Sequence, residues 1–286
     1  MLPIDSSIIR LIQFAIHEDL GTGDITSDLS IPREGTAAAR FLIKQDGVIC
    51  GLPILAIVFR SFSDDVNLEL KVEEGAHLRS GTIIATVEGP AHALLAGERT
   101  ALNFIQRMSG VATKTHEYVN EIAGTSARIL DTRKTIPGWR LLDKYATTVG
   151  GAHNHRMGLY DMVMIKDNHI TACGGIREAV ERIVPDLRDR PNIKVEVEAR
   201  SIDDVHEILQ CKGVHRVMFD NFTPALVAEG VRLVDRRLET EASGGINFEN
   251  IRSYAETGVD FISVGAITHS ATALDISMKL FVPKQG

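Results

Sequence analysis

The chain has 286 residues, 44% of them hydrophobic and 24% charged, with a formal net charge of −7. That length accommodates one large domain or two smaller ones, and the acidity argues against general nucleic-acid binding, which needs a basic field. Cys50, Cys173 and Cys211 are odd in number and form no C-x-x-C pair, so neither a disulfide framework nor a structural zinc site is indicated.

The N-terminal stretch has acidic residues and no basic region ahead of an apolar core, and it reads as an amphipathic helix over Ser7–Asp19 rather than a signal peptide. No window is apolar enough to span a membrane, so the expected setting is the cytoplasm, with no membrane partner. "EDLGTGDITSD" breaks the helix with glycines and cap-type residues. Strand patterns follow at Ala38–Lys44 and Asn67–Val72, then short strands separated by turns at Gly75, Gly81 and Gly89. From beyond Pro90 to about Ala123 the pattern is helical.

From residue 127 apolar strand-like runs alternate with helical sequence: "ARILDTR", "DMVMIKDNH", "IKVEVEA", "VHRVMFDN", "LETEASGG" and "FISVGA". Such alternation predicts a parallel sheet of about six strands, fewer than the eight of a full barrel. An open α/β barrel fits, with a doubly wound sheet as the alternative. In either architecture the site forms at the carboxyl ends of the strands. Those ends carry Asp131, Thr132, Arg133 and Lys134; then Lys166 to His169; then Glu196 and Glu198; then Asp220 and Asn221; then Glu241, Ser243, Gly244 and Gly245; and last Gly265 and Ala266. Cations from early strands would meet carboxylates from middle strands and glycine turns from late ones. That set suits an anionic substrate and a divalent metal.

The two glycine turns each lead from strand toward helix, where backbone N–H groups can approach a phosphate closely; the bland reading is a tight turn. In "KVEVEA" alternation puts Lys194, Glu196 and Glu198 on one face. Glu198 and Asp220 could hold Mg²⁺ with a substrate diphosphate completing its shell, or Glu196 and Glu198 could belong to an ion-pair network with Lys194 and Arg216. Arg133 and Lys134, ahead of the Pro137-Gly138 turn, suit carboxylate or phosphate recognition. Trp139 reads as packing. His153 and His155 invite a zinc-hydrolase reading, but a Gly-rich approach precedes them and no later strand end supplies a further His pair. Arg99 sits beside an apolar helix face, where arginine often only lays its stem.

Taken in order, "HEDLGTGDITS", "GERTALNFIQRMSGVAT", "DTRKTIPGWR", "NHRMGLYDMVMIKDNH", "VEVEA", "FDN", "EASGGI" and "SVGAITHS" resemble the quinolinate phosphoribosyltransferase family over essentially the whole chain. The resemblance implies the type II phosphoribosyltransferase architecture: an N-terminal α/β sandwich domain (1–109, joined by 271–286) and an incomplete α/β barrel (110–270). It implies transfer of phosphoribosyl from phosphoribosyl pyrophosphate to N1 of quinolinate, giving nicotinate mononucleotide, diphosphate and CO₂, a step of de novo NAD synthesis that uses Mg²⁺. Carried over by motif, Thr132, Arg133, His155 and Arg156 would bind quinolinate, joined by Arg99 across a homodimer interface. Lys134 and Lys166 would lie between the substrates. Glu198 and Asp220 would serve the Mg-diphosphate and ribose hydroxyls, and Ser243-Gly244-Gly245 and Val264-Gly265-Ala266 would cradle phosphate. Ala152, where a third glycine is common, and Trp139, in place of an aliphatic residue, depart from the family pattern without touching a charged position. A paralogue acting on another pyridine or azole carboxylate and a non-catalytic phosphate-ligand sensor are the competing readings.

Overall fold

The computed structural model describes residue 2 and residues 4–281. The chain folds as two compact units: 1–116 with 136–151 and 271–286, and 117–135 with 152–270.

The first unit opens with α1 (Ser6–Leu20), in register with the expected helix. Asp5 caps it by accepting from the Ser7 and Ile8 N–H groups at 2.9 and 3.1 Å. The helix stops at Gly21, whose φ of 52° suits glycine. The short α2 (Ile25–Ser30) follows, capped by Asp24. An antiparallel sheet is then built from β1 (Thr36–Ile43), β3 (Asn67–Leu70) and β5 (Ile83–Pro90), while β2 (Gly47–Val48) and β4 (His77–Leu78) form a separate two-stranded ribbon. The C-terminal strand Ile276–Phe281 returns to pair with β1, so the sheet order runs from that strand through β1 and β5 to β3. Residues 282–286 of the expected C-terminal segment lie outside the described residues. Alternation turns Ala39, Phe41 and Ile43 of β1 inward with Ala85 and Val87 of β5, against α3 (Leu52–Arg60) and the long α4 (Ala91–Glu121). Phe41 meets Phe59 edge-on at 5.9 Å.

Three details depart from expectation. Gly89 makes no turn; it lies inside β5, where a Cβ would come within 3.1 Å of Val66. The compact units divide at 116–117 instead of 109–110, and α4 runs unbroken through both positions. Residues 136–151 also pack with the first unit: α5 (Arg140–Val149) buries Leu142 and Ala146 in its core, and Trp139 stacks on Phe104 at 4.8 Å.

The second unit holds six parallel strands: β6 (Arg128–Leu130), β7 (Val163–Ile165), β8 (Val195–Ala199), β9 (Arg216–Asp220), β10 (Glu239–Ser243) and β11 (Phe261–Ser263). Their order is β6-β11-β10-β9-β8-β7. The last strand pairs with the first and every other neighbour is sequential, which is barrel order; a doubly wound sheet would reverse direction at a switch point. β6 and β7 do not pair, so the barrel is open there, and beside β6 the His153 segment forms an isolated parallel bridge to Leu130. The outer shell comprises α6 (Asp167–Cys173), α7 (Ile176–Ile183), α8 (Ile202–Ile208), α9 (Pro224–Val234), α10 (Ile251–Ala255) and α11 (Ala266–His269).

Parallel strands are usually apolar on both faces. Here they alternate. Val195, Val197, Ala199, Val217, Phe219, Ala242 and Ile262 belong to the apolar core shared with the helices. Glu196, Glu198, Arg216, Met218, Glu241 and Ser263 take the opposite face, toward the barrel interior. The barrel is therefore lined with charge.

Candidate active site

A cavity of about 480 Å³ lies in the second unit, at the carboxyl ends of the parallel strands. Thr132, Arg133 and Lys134 come to it from the loop after β6, His155 and Arg156 from the loop before β7, and Lys166 from the end of β7. Glu198 of β8 and Asp220 of β9 form its acidic wall, and Ser243, Gly244 and Gly245 close it after β10. Eleven of the expected site residues thus converge. A larger cavity of about 960 Å³ opens around the amino-terminal ends of β8, β9 and β10, with Lys194, His215 and Glu239 in its wall, away from all of them.

Lys166 is the N-cap residue of α6, and its Nζ forms an ion pair with Glu198 Oε1. The Asp167 N–H donates to the other Glu198 oxygen at 3.3 Å. Glu198 is therefore not part of a network with Lys194 and Arg216. Lys194 pairs with Glu239 at 3.0 Å, and Arg216 bridges Glu239 and Glu241. Asp220 accepts from Asn221 Nδ2 at 2.8 Å. Arg156 donates from Nη1 to the Met162 carbonyl at 3.1 Å. Its partial burial, and next the charge of Arg133, disfavour its own charge. An incoming carboxylate relieves that repulsion.

The turn after β10 is set by geometry that excludes side chains. Gly244 has φ of 90°, and a Cβ there would fall 2.3 Å from Asn221 Oδ1 and 2.8 Å from Asn221 N. Asn221 itself has φ of 57° and donates its N–H to the Ser243 carbonyl at 2.8 Å. Gly245, at φ of 65°, has nothing within 4 Å of its Cβ position. Gly244→Ala is expected to cost about 1–3 kcal/mol of stability and to weaken binding of a phosphorylated substrate. Chemical unfolding together with substrate titration checks both; unchanged values would show that the turn can relax.

The other expected phosphate cradle differs. Val264 is fully buried and its N–H is already given to the Leu130 carbonyl at 2.9 Å. Gly265, at φ of −69°, is the N-cap of the four-residue α11, and Ala266 begins that helix. A Cβ on Gly265 would come within 3.0 Å of Lys134 Cδ, so this glycine makes room for Lys134. None of the three lines the cavity. The helices after both turns, α10 and α11, have five and four residues, too short to supply the dipole that a following helix was expected to add. Arg99 is exposed on α4 in the first unit and does not line the cavity.

His155 is more deeply engaged than its motif suggests. Its N–H donates to buried Asp131 Oδ1 at 2.7 Å. Its ring Nδ1 lies 2.7 Å from the Arg156 N–H and accepts from it whenever the ring is neutral, which places the proton of the neutral form on Nε2. Nε2 faces Glu196 Oε2 at 3.2 Å and Glu241 Oε2 at 3.4 Å. Burial works to lower the imidazole pKa, but the Glu196 and Glu241 carboxylates facing Nε2 outweigh it and raise it to about 9. Protonation has to break the Arg156 bond, since imidazolium has no free lone pair. Burial, with Glu241 alongside, pushes Glu196 up. Burial also works against the Glu241 carboxylate, yet hydrogen bonding to His155, and the charges of His155 and Arg216, hold it low. His155, Glu196 and Glu241 are the one group among the described residues with metal-ligand spacing. His153 is exposed and takes no part, and Arg216 already sits 2.9 Å from the Glu241 oxygen that faces His155. The histidine pair therefore does not form the zinc centre of the hydrolase reading.

Glu241, Ser263 and Asn221 were not assigned roles from sequence. The signal was present: "ETEAS" alternates as "VEVEA" does, placing Glu239, Glu241 and Ser243 on one face.

Comparison with known proteins shows what the chain is similar to. The family described as quinolinate phosphoribosyl transferase, C-terminal domain, matches residues 111–279, and its N-terminal domain matches 24–109. A quinolinate phosphoribosyltransferase [decarboxylating] 1b of Nicotiana tabacum is 42% identical over 286 residues, spanning 94% of this chain and 81% of the relative. A probable nicotinate-nucleotide pyrophosphorylase [carboxylating] of Bacillus subtilis is 44% identical, spanning 94% and 92%. Among solved structures, nicotinate-nucleotide pyrophosphorylase from Ehrlichia chaffeensis superposes with a TM-score of 0.90 at 37% identity, covering 98% of this chain and 100% of that one. That from Francisella tularensis does so with a TM-score of 0.90 at 34% identity, covering 98% and 99%.

Proposed function

The chain belongs to the quinolinate phosphoribosyltransferase family, and on that premise we propose how its own residues divide the decarboxylating transfer of phosphoribosyl to quinolinate. The observation that carries the assignment is the meeting of four cations and two carboxylates in one cavity at the strand ends.

Quinolinate is a dianion at neutral pH. Arg133 and Arg156 bind its carboxylates, each charge-assisted hydrogen bond contributing about 1.5–3 kcal/mol. Thr132 accepts the Lys134 N–H at 3.0 Å and so shapes the loop that presents both cations. Lys134 and Lys166 face the phosphoribosyl donor and the ring nitrogen. As N1 attacks the anomeric carbon, the bond to diphosphate breaks and positive charge grows on the ribose. Glu198 and Asp220 favour that charge. Both are hard oxygen donors on adjacent strands, a set that fits Mg²⁺ shared with the substrate diphosphate. When bound, the ion would neutralise the leaving diphosphate. Were Glu198 to ligate that ion, Lys166, now paired with Glu198, would be free to turn toward quinolinate. The backbone of Ser243, Gly244 and Gly245 holds a phosphate. Once N1 is alkylated the ring is cationic, the bond from C2 to its carboxylate breaks, CO₂ leaves with no electron pair, and a proton takes its place at C2.

Among the described residues no helix is long and apolar enough to cross a membrane. This reading keeps a cytoplasmic location, whereas several plant relatives are named as mitochondrial or chloroplastic. The working unit in this reading is a homodimer in which Arg99 of the partner subunit completes the quinolinate site. Chains carrying Arg99→Ala and chains carrying Lys166→Ala, each inactive alone, should regain part of the activity when their subunits exchange. Exchange without recovery would place Arg99 outside the site.

The substrate assignment is tested by turnover with quinolinate against nicotinate and nicotinamide at equal phosphoribosyl pyrophosphate and Mg²⁺. Quinolinate is expected to be used far more efficiently, because the paired arginines need two carboxylates. Preference for nicotinate would point to a paralogous activity, and binding of the donor without turnover to a sensor.

A further inference from the structure

The barrel interior beneath the cavity holds charges that the transfer reaction does not use. Glu196 and Glu241 are both fully buried. Glu241 is gripped by the Ser263 hydroxyl and by Arg216 Nη1 at 2.9 Å. Arg216 is itself held by Glu239 at 3.0 Å and lies 4.1 Å over the Phe261 ring. Glu196 is different. Neither of its oxygens accepts a well-formed hydrogen bond among the described residues, and its charge leans on His155 Nε2 at 3.2 Å.

Burying two carboxylates is costly, and apolar residues of the same volume would fill a barrel at least as well. Fold stability alone therefore does not account for them. What they do locally is face one edge of the His155 ring, while the opposite edge accepts the Arg156 N–H at 2.7 Å. The backbone is fixed on the near side by the His155 N–H on Asp131, and the Arg156 guanidinium is fixed by its bond to Met162 O. Both ring nitrogens thus face protein groups, and a direct bond from His155 to a substrate carboxylate would have to displace one of them.

We propose that His155 is a positioning residue that presents Arg156 to quinolinate, with Glu241 as its buried anchor, rather than a direct ligand of the substrate. The proposal rests on the assignment of Arg156 to carboxylate binding. It separates two behaviours. A positioning residue acts through Arg156, so its loss should matter only while Arg156 is present. A direct ligand contributes on its own.

The test is a double-mutant cycle on the full-length enzyme, with KM for each substrate and kcat as readouts. Glu241→Gln keeps the side-chain shape and removes the charge behind His155. It is expected to raise KM for quinolinate by about tenfold, leaving KM for phosphoribosyl pyrophosphate nearly unchanged. His155→Ala should do the same, and His155→Ala with Arg156→Ala should be no worse than Arg156→Ala alone. His155→Gln, whose amide oxygen can accept the Arg156 N–H, should recover part of the loss and serves the cycle if the alanine variant fails to fold. Multiplying losses at His155 and Arg156 would overturn the proposal in favour of direct contact. Equal weakening of both substrates would overturn it in favour of a purely structural role. Absence of quinolinate turnover by the unmodified chain would overturn the function itself; normal turnover with an unaffected Glu241→Gln variant would overturn only the positioning.

Discussion

Glu198→Gln lowers kcat by about 10²–10³-fold while leaving the folded state nearly as stable as before. Glu198 ends β8 inside the cavity and carries two engagements, the Lys166 ammonium and the Asp167 N–H at 3.3 Å. The glutamine oxygen can still accept the N–H, and Lys166, with 42% of its side chain exposed, can turn to water. Stability is thereby spared. What is lost is negative charge where the ribose becomes cationic, together with half of the oxygen pair proposed to share a metal with the diphosphate. Steady-state kinetics at saturating substrates, paired with thermal unfolding, make the check. A loss below about tenfold would remove Glu198 from the chemistry and return it to structural pairing with Lys166.

Arg216→Met destabilises the protein by about 3–5 kcal/mol. Glu241 has no exposure at all, and Arg216 is its close cationic neighbour at 2.9 Å, fixed in turn by Glu239 and the Phe261 ring. Removing the guanidinium leaves a desolvated carboxylate facing the Glu196 carboxylate across His155. Such a loss is a large part of the roughly 5–15 kcal/mol that holds a domain together. Equilibrium denaturation measures it directly. A change below about 1 kcal/mol would mean that water reaches the barrel interior and screens the pair.

The contrast between these two residues shows what could be read from the sequence. Periodicity placed all six parallel strands, and the strand ends named most of the cavity wall, because a carboxyl end is visible where an apolar run meets charge. The closure of the barrel through β11 and β6 was not visible, since pairing between the first and last strands leaves no local mark. Arg216 was read as a partner for Glu196 or Glu198, whereas it turns the other way, to Glu239 and Glu241. Alternation gives the face of a residue but not which neighbouring strand it reaches across to. The family resemblance placed Val264 in a phosphate cradle, but its N–H is consumed in the ladder to Leu130. The depth of His155 was hidden for a similar reason: its carboxylate partners come from two strands 41 and 86 residues further along the chain, counted from 155 to 196 and from 155 to 241.

Product stoichiometry in a single reaction tests the central claim most directly. Quinolinate labelled in its C2 carboxylate is mixed with phosphoribosyl pyrophosphate, Mg²⁺ and the enzyme. The predicted result is release of labelled CO₂ and diphosphate in equal amounts, matched by nicotinate mononucleotide. Diphosphate released without CO₂, or label retained in the nucleotide, would contradict a decarboxylating transfer at this site.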